Sequence, residues 1–206
     1  MIKLHHLNKS RSKRIIWLLE ELGVDYELVA YQRDATTFLA PESLKAVHPL
    51  GKSPVLEASG YTIAESGAIT EYLIQTYGAD KLMPAIGTAD YINYLQWMHF
   101  AESSAVLPLL LKIFVKMDGA ETRFIGGYAD AETAKVISYV NDRLEGKSYL
   151  VGNSLSGADI MMSFIAELVG QNGEFDKYPN IAKYYQQLMS HASFKKAMQI
   201  EAEHDR

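Results

Sequence analysis

The sequence predicts two dissimilar folded regions: an α/β domain with a mixed four-stranded sheet over residues 1–80, and an all-α domain over residues 87–206. Three observations carry this reading. The first third alternates between strand-like and helix-like periodicities. Everything past residue 91 shows helical spacing with hardly any strand signal. Between them lies "GADKLMPAIGTAD" (78–90), with the Gly, Pro and Asp content of a linker.

The elements follow in order. "IKLHHL" (2–7) opens with alternating apolar and polar residues, as a strand does. "SRSKRIIWLLEELG" (10–23) sets Ile15, Leu18, Leu19 and Leu22 on one helical face and ends at Gly23, a natural helix stop. "DYELVAY" (25–31) is a second strand, and "PESLKAVHP" (41–49) a short helix bounded by prolines. "PVLEAS" (54–59) and "YTIAES" (61–66) flank Gly60 as a hairpin. "SGAITEYLIQTYG" (66–78) is a helix with Ile69, Tyr72, Leu73 and Thr76 on one face, closed by Gly78. The order βαβ, short helix, ββα combines a parallel pair with an antiparallel hairpin, so the sheet is mixed.

Helical patterns then occupy 88–117, 121–144, 156–170, 179–190 and 193–203, and Pro108 is expected to kink or divide the first of them. In "LSGADI" (155–160) Ser156 precedes Asp159 by three residues, a capping box flanked by Leu155 and Ile160 as a hydrophobic staple. That pair is structural.

The bulk numbers narrow the function. A net charge of −5 argues against nucleic acid as a partner, and the short basic run "KSRSKR" (9–14) leads straight into a helix. With no cysteine there is neither a disulfide nor a catalytic thiol of the protein's own. Adjacent strand residues His5 and His6 face opposite ways, so no metal site is expected. "MIKLHHLNKS" lacks the apolar core of a signal peptide, and no run approaches the ~18 apolar residues of a membrane span. A soluble cytoplasmic protein without a membrane partner is expected.

Chemistry concentrates at two places. In "AESGAI" (64–69) a helix begins at Ser66 with Gly67 behind it, presenting free N–H groups and a positive dipole end to a carboxylate. Glu65 beside it suits an ammonium, so an amino-acid head group fits both. The alternative is that Ser66 only caps the helix and Glu65 is solvated. In "HPLGKSPVLE" (48–57) Ser53 precedes Pro54, and X-Pro bonds tolerate the cis form. A cis bond would turn the Ser53 backbone toward a peptide-like ligand, with Lys52 ready for a second carboxylate.

Together with "SRSKRIIWLLEELGVDYE" (10–27), "HPLGKSPVLE" and "AESGAITEYL" (64–73) give the chain its resemblance to the cytosolic glutathione transferase family. It is most similar to bacterial and fungal members with a serine at the start of the first helix. The resemblance implies a thioredoxin-like first domain, a cis Pro54, a glutathione site in a cleft between domains, and a homodimer. It implies that Ser53 pairs its backbone with the cysteinyl part, that Glu65 and Ser66 hold the γ-glutamyl end, and that Lys52 approaches the glycine carboxylate. Glutathione then supplies the thiol the protein lacks. His5 and His6 stand where some members carry a catalytic tyrosine, so Ser10 is the residue expected to hydrogen-bond the thiolate, with Arg11 and Ser12 as alternatives. In the helical domain Trp97, His99, Phe100, Ser103, Ser104 and Leu107 are candidates for the electrophile pocket, each with packing or solvation as its plainer role. The implied activity is conjugation of glutathione to small electrophiles, with peroxide reduction beside it. The alternative is a non-enzymatic interaction or regulatory module of the same fold.

Overall fold

A computed structural model describes residues 1–205. They form two compact units: residues 1–83 with 189–205, and residues 84–188. In the first unit, strand β1 (Ile2–Leu7) is followed by α1 (Lys13–Leu22), β2 (Tyr26–Tyr31), a 3-10 turn (Glu42–Ala46), β3 (Val55–Ala58), β4 (Tyr61–Ala64), α2 (Ser66–Tyr77) and the single turn α3 (Ala79–Leu82). The sheet order is β2-β1-β3-β4. β1 runs parallel to β2, with Leu4 opposite Leu28, and antiparallel to β3, with Leu4 opposite Leu56. The mixed four-stranded, thioredoxin-like sheet of the sequence reading is therefore present.

Its core is the apolar face that the helical spacing predicts. Leu4, Ile15, Leu18, Leu19, Leu56, Ile69 and Leu73 are fully buried. Two details differ from expectation. On α2 the buried neighbours of Ile69 and Leu73 are Thr70 and Ile74, not Tyr72 and Thr76, because the sheet and α1 cover a face rotated by one residue. Gly78 does close α2, but at φ −151° rather than in the left-handed conformation. A Cβ there would press on the Leu22 side chain, which would have to shift. Gly23, at φ 64°, is a left-handed helix stop.

The second unit is helical: α4 (Ala89–Phe100), α5 (Val106–Asp118), α6 (Ile125–Arg143), α7 (Gly157–Gln171) and α8 (Pro179–Ser190), whose last residues fall past the boundary. Helices α4 and α5 are one continuous 30-residue helix joined by a wide π turn at Ala101–Ala105. Pro108 causes neither a break nor an end. Its ring crowds the carbonyl four residues back, Ser104, and the π turn accommodates that loss within the helix. This helix also corrects the reading that no segment approaches a membrane span. It is long and apolar enough by composition, with an 18-residue window of mean hydropathy 1.4, and in the fold it packs on α6 and α7.

The capping box is present at the start of α7. Asp159, fully buried, accepts from the Ser156 backbone N–H (2.9 Å) and hydroxyl (2.8 Å), from Leu150 N–H (2.9 Å) and from the Tyr184 hydroxyl (3.0 Å). Burial outweighs these donors and pushes the Asp159 carboxyl above its ordinary range.

The last helix is α9 (Ala192–His204). It packs on α1 and belongs with the first unit. Trp17 of α1 explains the attachment: its ring meets Phe194 edge-on at 4.9 Å, and its Nε1–H donates to Ser193 Oγ at 3.1 Å. Such an aromatic pair adds about 0.5–1.5 kcal/mol beyond the area it buries.

Candidate functional site

The carboxyl end of β1 gathers the serines singled out by sequence. The β1–β3 ladder ends at His5 opposite Val55, and Ser53 lies two residues beyond it, before the cis bond to Pro54. The Ser53 hydroxyl donates to His5 O (2.9 Å) and accepts from Leu7 N–H (3.1 Å), so its side chain takes over where the ladder stops. The same Leu7 N–H lies 3.3 Å from Ser12 Oγ. Ser12 Oγ in turn lies 2.7 Å from Ser10 Oγ and 2.7 Å from His6 Nδ1. Ser10, Ser12 and Ser53 thus share one corner.

Within that corner their exposures separate them. Ser12 is fully buried and its hydroxyl is surrounded by protein atoms; Ser10 keeps 7% of its surface. Ser12 occupies the N-cap position of α1 without a capping bond, because its hydroxyl turns back to β1, while the Ser10 hydroxyl accepts from Ser12 N–H at 3.2 Å. Arg11 is half-buried. His5 faces the other side of the sheet, against Glu57 (2.6 Å) and the Tyr31 hydroxyl (3.0 Å), as strand alternation requires.

A second group forms where β4 meets α2. Arg14, one helical turn past Ser10 and almost wholly buried, donates through Nη2 to Ser66 Oγ at 2.6 Å. Ser66 is the first residue of α2, so the helix's unpaired N–H groups and a guanidinium converge there. Glu65 just before it is exposed and held at φ 68°, ψ 116°. A non-glycine residue in that region costs about 1–3 kcal/mol and persists where surroundings fix it. Lys52 is exposed at the lip of the β3 turn. The arrangement offers positive charge and N–H donors to a carboxylate, with a carboxylate of its own alongside for an amine.

Sequence reading did not find Arg14, His6 or Glu201. Arg14 had a signal: it lies four residues before the core residue Leu18, so a charge there faces inward. Glu201 had none, since nothing in the sequence brings α9 to the β1–α1 turn. In the fold, Glu201 Oε1 accepts from Lys9 N–H at 2.9 Å and Oε2 lies 2.8 Å from His6 Nε2. Asp205 accepts from the Asn8 side-chain amide (2.8 Å), and Gln32 donates to His204 O. The Asn8 amide, then the charge of Lys9, holds the Asp205 carboxyl below its usual range despite some burial. The turn carrying Ser10 is pinned by the last helix.

In the helical unit the candidates divide. Trp97 is buried, stacked on Tyr139 at 5.8 Å with Phe100 edge-on at 5.2 Å, and serves the core. His99, Ser103 and Leu107, four residues apart, lie exposed along one stripe with Ser104 beside them. Ser103 spends its hydroxyl on His99 O at 2.8 Å. Among the described residues no cluster of three or more His, Asp or Glu is placed to hold a metal ion.

Comparison with known proteins places these features in context. The family described as glutathione S-transferase, N-terminal domain, matches residues 1–75, and its C-terminal domain counterpart matches residues 127–192. The chain is 34% identical over 219 residues to glutathione S-transferase 1 of Saccharomyces cerevisiae, covering 94% of this chain and 92% of that protein. A solved glutathione S-transferase from Actinobacillus pleuropneumoniae superposes with a TM-score of 0.90 at 38% identity, covering 98% and 93%. A glutathione transferase homolog from Lodderomyces elongisporus, solved with two glutathione molecules per subunit, has the same fold (TM-score 0.82, 22% identity, 97% and 98% covered). The chain is also 27% identical over 198 residues to elongation factor 1-gamma 3 of Oryza sativa subsp. japonica, covering 93% of this chain and 46% of that protein.

Proposed function

This chain belongs to the glutathione S-transferase family, and from that premise we propose that it binds glutathione as the thiolate and conjugates it to small electrophiles, with peroxide reduction as a second use of the same thiolate. The observation that carries the reading is the Arg14–Ser66–Glu65 group. The Ser66 hydroxyl accepts from Arg14, which leaves its own hydrogen for a ligand carboxylate. Glu65, fixed at positive φ, is assigned the γ-glutamyl amine. Ser53, past the end of the strand ladder and before the cis bond, is assigned the cysteinyl backbone, and Lys52 the glycine carboxylate.

Ser10 is assigned the thiolate, with Arg11 and Ser12 as the alternatives that its variants test; the burial of Ser12 favours Ser10. The magnitudes agree. Lowering a thiol pKa from about 8.5 by about two requires about 2.7 kcal/mol. A hydrogen bond to a charged group supplies about 1.5–3 kcal/mol and a helix N-terminus about 0.3–1. The exposed stripe of His99, Ser103, Ser104 and Leu107 is the surface we assign to the electrophile. We further propose a cytoplasmic homodimer active in detoxification; light scattering at micromolar concentration tests the dimer, and a monomer there removes it.

Calorimetric titration with glutathione, followed by turnover of a model electrophile, tests the activity. No binding at millimolar ligand overturns it. The likeness to elongation factor 1-gamma supports a second reading, an interaction module without turnover. Binding without any lowering of the thiol pKa would decide for that module.

A further inference from the structure

The corner that holds Ser10 is the outer end of a buried polar chain running Glu201–His6–Ser12–Ser10, with successive heavy-atom separations of 2.8, 2.7 and 2.7 Å. His6 and Ser12 have no exposed surface. Glu201 Oε2 lies 2.8 Å from His6 Nε2 but off the line of a straight N–H bond, and neither atom has another hydrogen-bond partner, so a proton on the imidazole would face a carboxylate. Strained Lys9, at φ 53°, offers its N–H to the other carboxylate oxygen and fixes Glu201 in place.

Counting hydrogens along the chain gives two states. With His6 neutral and protonated at Nε2, Nδ1 must accept the Ser12 hydrogen. The 2.7 Å contact between the serines then requires Ser10 to donate to Ser12. Ser10 Oγ also accepts from Ser12 N–H at 3.2 Å, and what it has left for a ligand is a lone pair. That suits a protonated thiol. With a proton on Nδ1 the chain reverses. Ser12 accepts from His6 and from Leu7 N–H (3.3 Å), its hydrogen goes to Ser10, and Ser10 is left with its own hydrogen to donate outward. That suits a thiolate. The Leu7 carbonyl, at 3.2 Å from Ser12 Oγ, is a longer alternative acceptor in either state.

We propose that Glu201 and His6 form a proton relay for the site: on binding, the glutathione thiol passes its proton to Ser10 as Ser10 passes its own to Ser12 and Ser12 to His6 Nδ1. One S–H bond breaks and one N–H bond forms, nothing is oxidised, and the imidazolium is balanced by Glu201. His6 and Glu201 are positioning residues, since they reach sulfur only through the serines. The other charged groups facing the pair are Asp205, on the same end of the chain as Glu201, and Lys9 in the strand–helix turn. The proposal rests on the glutathione reading given above.

The test counts protons on the unmodified protein. Glutathione is added near neutral pH; thiolate is read by its ultraviolet absorbance, and released protons by calorimetry in two buffers of different ionisation enthalpy. The relay predicts thiolate with well under one proton released per thiolate formed. Glu201→Gln keeps an acceptor for Lys9 N–H but removes the charge, and is expected to lower the ratio of bound thiolate to thiol about tenfold, the equivalent of a thiol pKa higher by about one. Glutathione affinity measured at acid pH should stay within twofold of the unmodified protein. One proton released per thiolate in the unmodified protein overturns the relay while leaving the glutathione reading intact. Absence of glutathione binding overturns both. Ser12→Ala, which cuts the chain without touching the ion pair, should reproduce the loss of thiolate; an unchanged thiolate signal in that variant also overturns the relay.

Discussion

Two carboxylates organise this protein, Asp159 fully buried and Glu201 partly so, and they do so differently. Asp159, in the helical unit, is surrounded by four donors that are themselves part of the fold, so its network closes on itself. Glu201, in the first unit, holds an imidazole whose far side leads through two hydroxyls to Ser10, where the chain of bonds stops. Closed polar networks specify a local structure; a network that ends on a hydroxyl with one bonding position left over can serve a ligand. The difference shows where to look for chemistry: at the network that reaches the surface, at Ser10.

The largest effect is expected on the closed side. Asp159→Ala strands the Leu150 and Ser156 N–H groups and two hydroxyls, and should destabilise the fold by about 3–5 kcal/mol in urea unfolding. A loss under about 1 kcal/mol would show that the network is not structural. Its pH dependence has a definite sign. Because burial raises the folded carboxyl above its unfolded value, the folded state binds the proton more tightly. Stability relative to Asp159→Asn should therefore fall as pH rises from the ordinary carboxylate value through the raised one. A difference that rises with pH over that window would contradict the raised carboxyl.

Next comes the open side. Ser10→Ala should leave stability nearly unchanged and reduce kcat/KM for conjugation by about 10- to 150-fold, the worth of one hydrogen bond to a charged group. Unchanged turnover would pass the role to Arg11 or Ser12. A smaller, opposite trade is expected at Glu65. Glu65→Gly relieves the positive φ and should raise stability by about 1 kcal/mol, while weakening glutathione binding through loss of the carboxylate. Equal affinity in the variant would remove Glu65 from the site.

The smallest effect concerns the pin at the end of α9. The Asp205 carboxyl is held low by Asn8, so its contribution is complete above the ordinary carboxylate value and lost as pH falls toward the folded one. Asp205→Asn should flatten that acid limb in unfolding titrations, and an unaltered limb would show that the pin does not contribute.

How much of this was legible follows from the range of the interactions. The helical face of Ile15, Leu18 and Leu19, the hairpin at Gly60 and the Ser156–Asp159 box are local, and local spacing finds them. Ser10, Ser53 and Ser66 stand out as candidates because a strand end, a proline and a helix start each mark themselves in sequence. Arg14 against Ser66 spans 52 residues, and Glu201 against His6 spans 195, so no window along the chain contains either pair. The packing of residues 193–203 on α1 is illegible for the same reason: an amphipathic helix does not state which partner covers its apolar face, and here Trp17 does. Trp97 shows the converse limit: helical spacing does not reveal that this aromatic is buried against Tyr139 and Phe100.

The most direct test of the account is the ultraviolet signal of bound glutathione near neutral pH. The account predicts thiolate absorbance when glutathione saturates the unmodified protein, and its loss in Ser10→Ala at matched saturation. Glutathione that binds without that absorbance, or an absorbance that persists undiminished in Ser10→Ala, would contradict it.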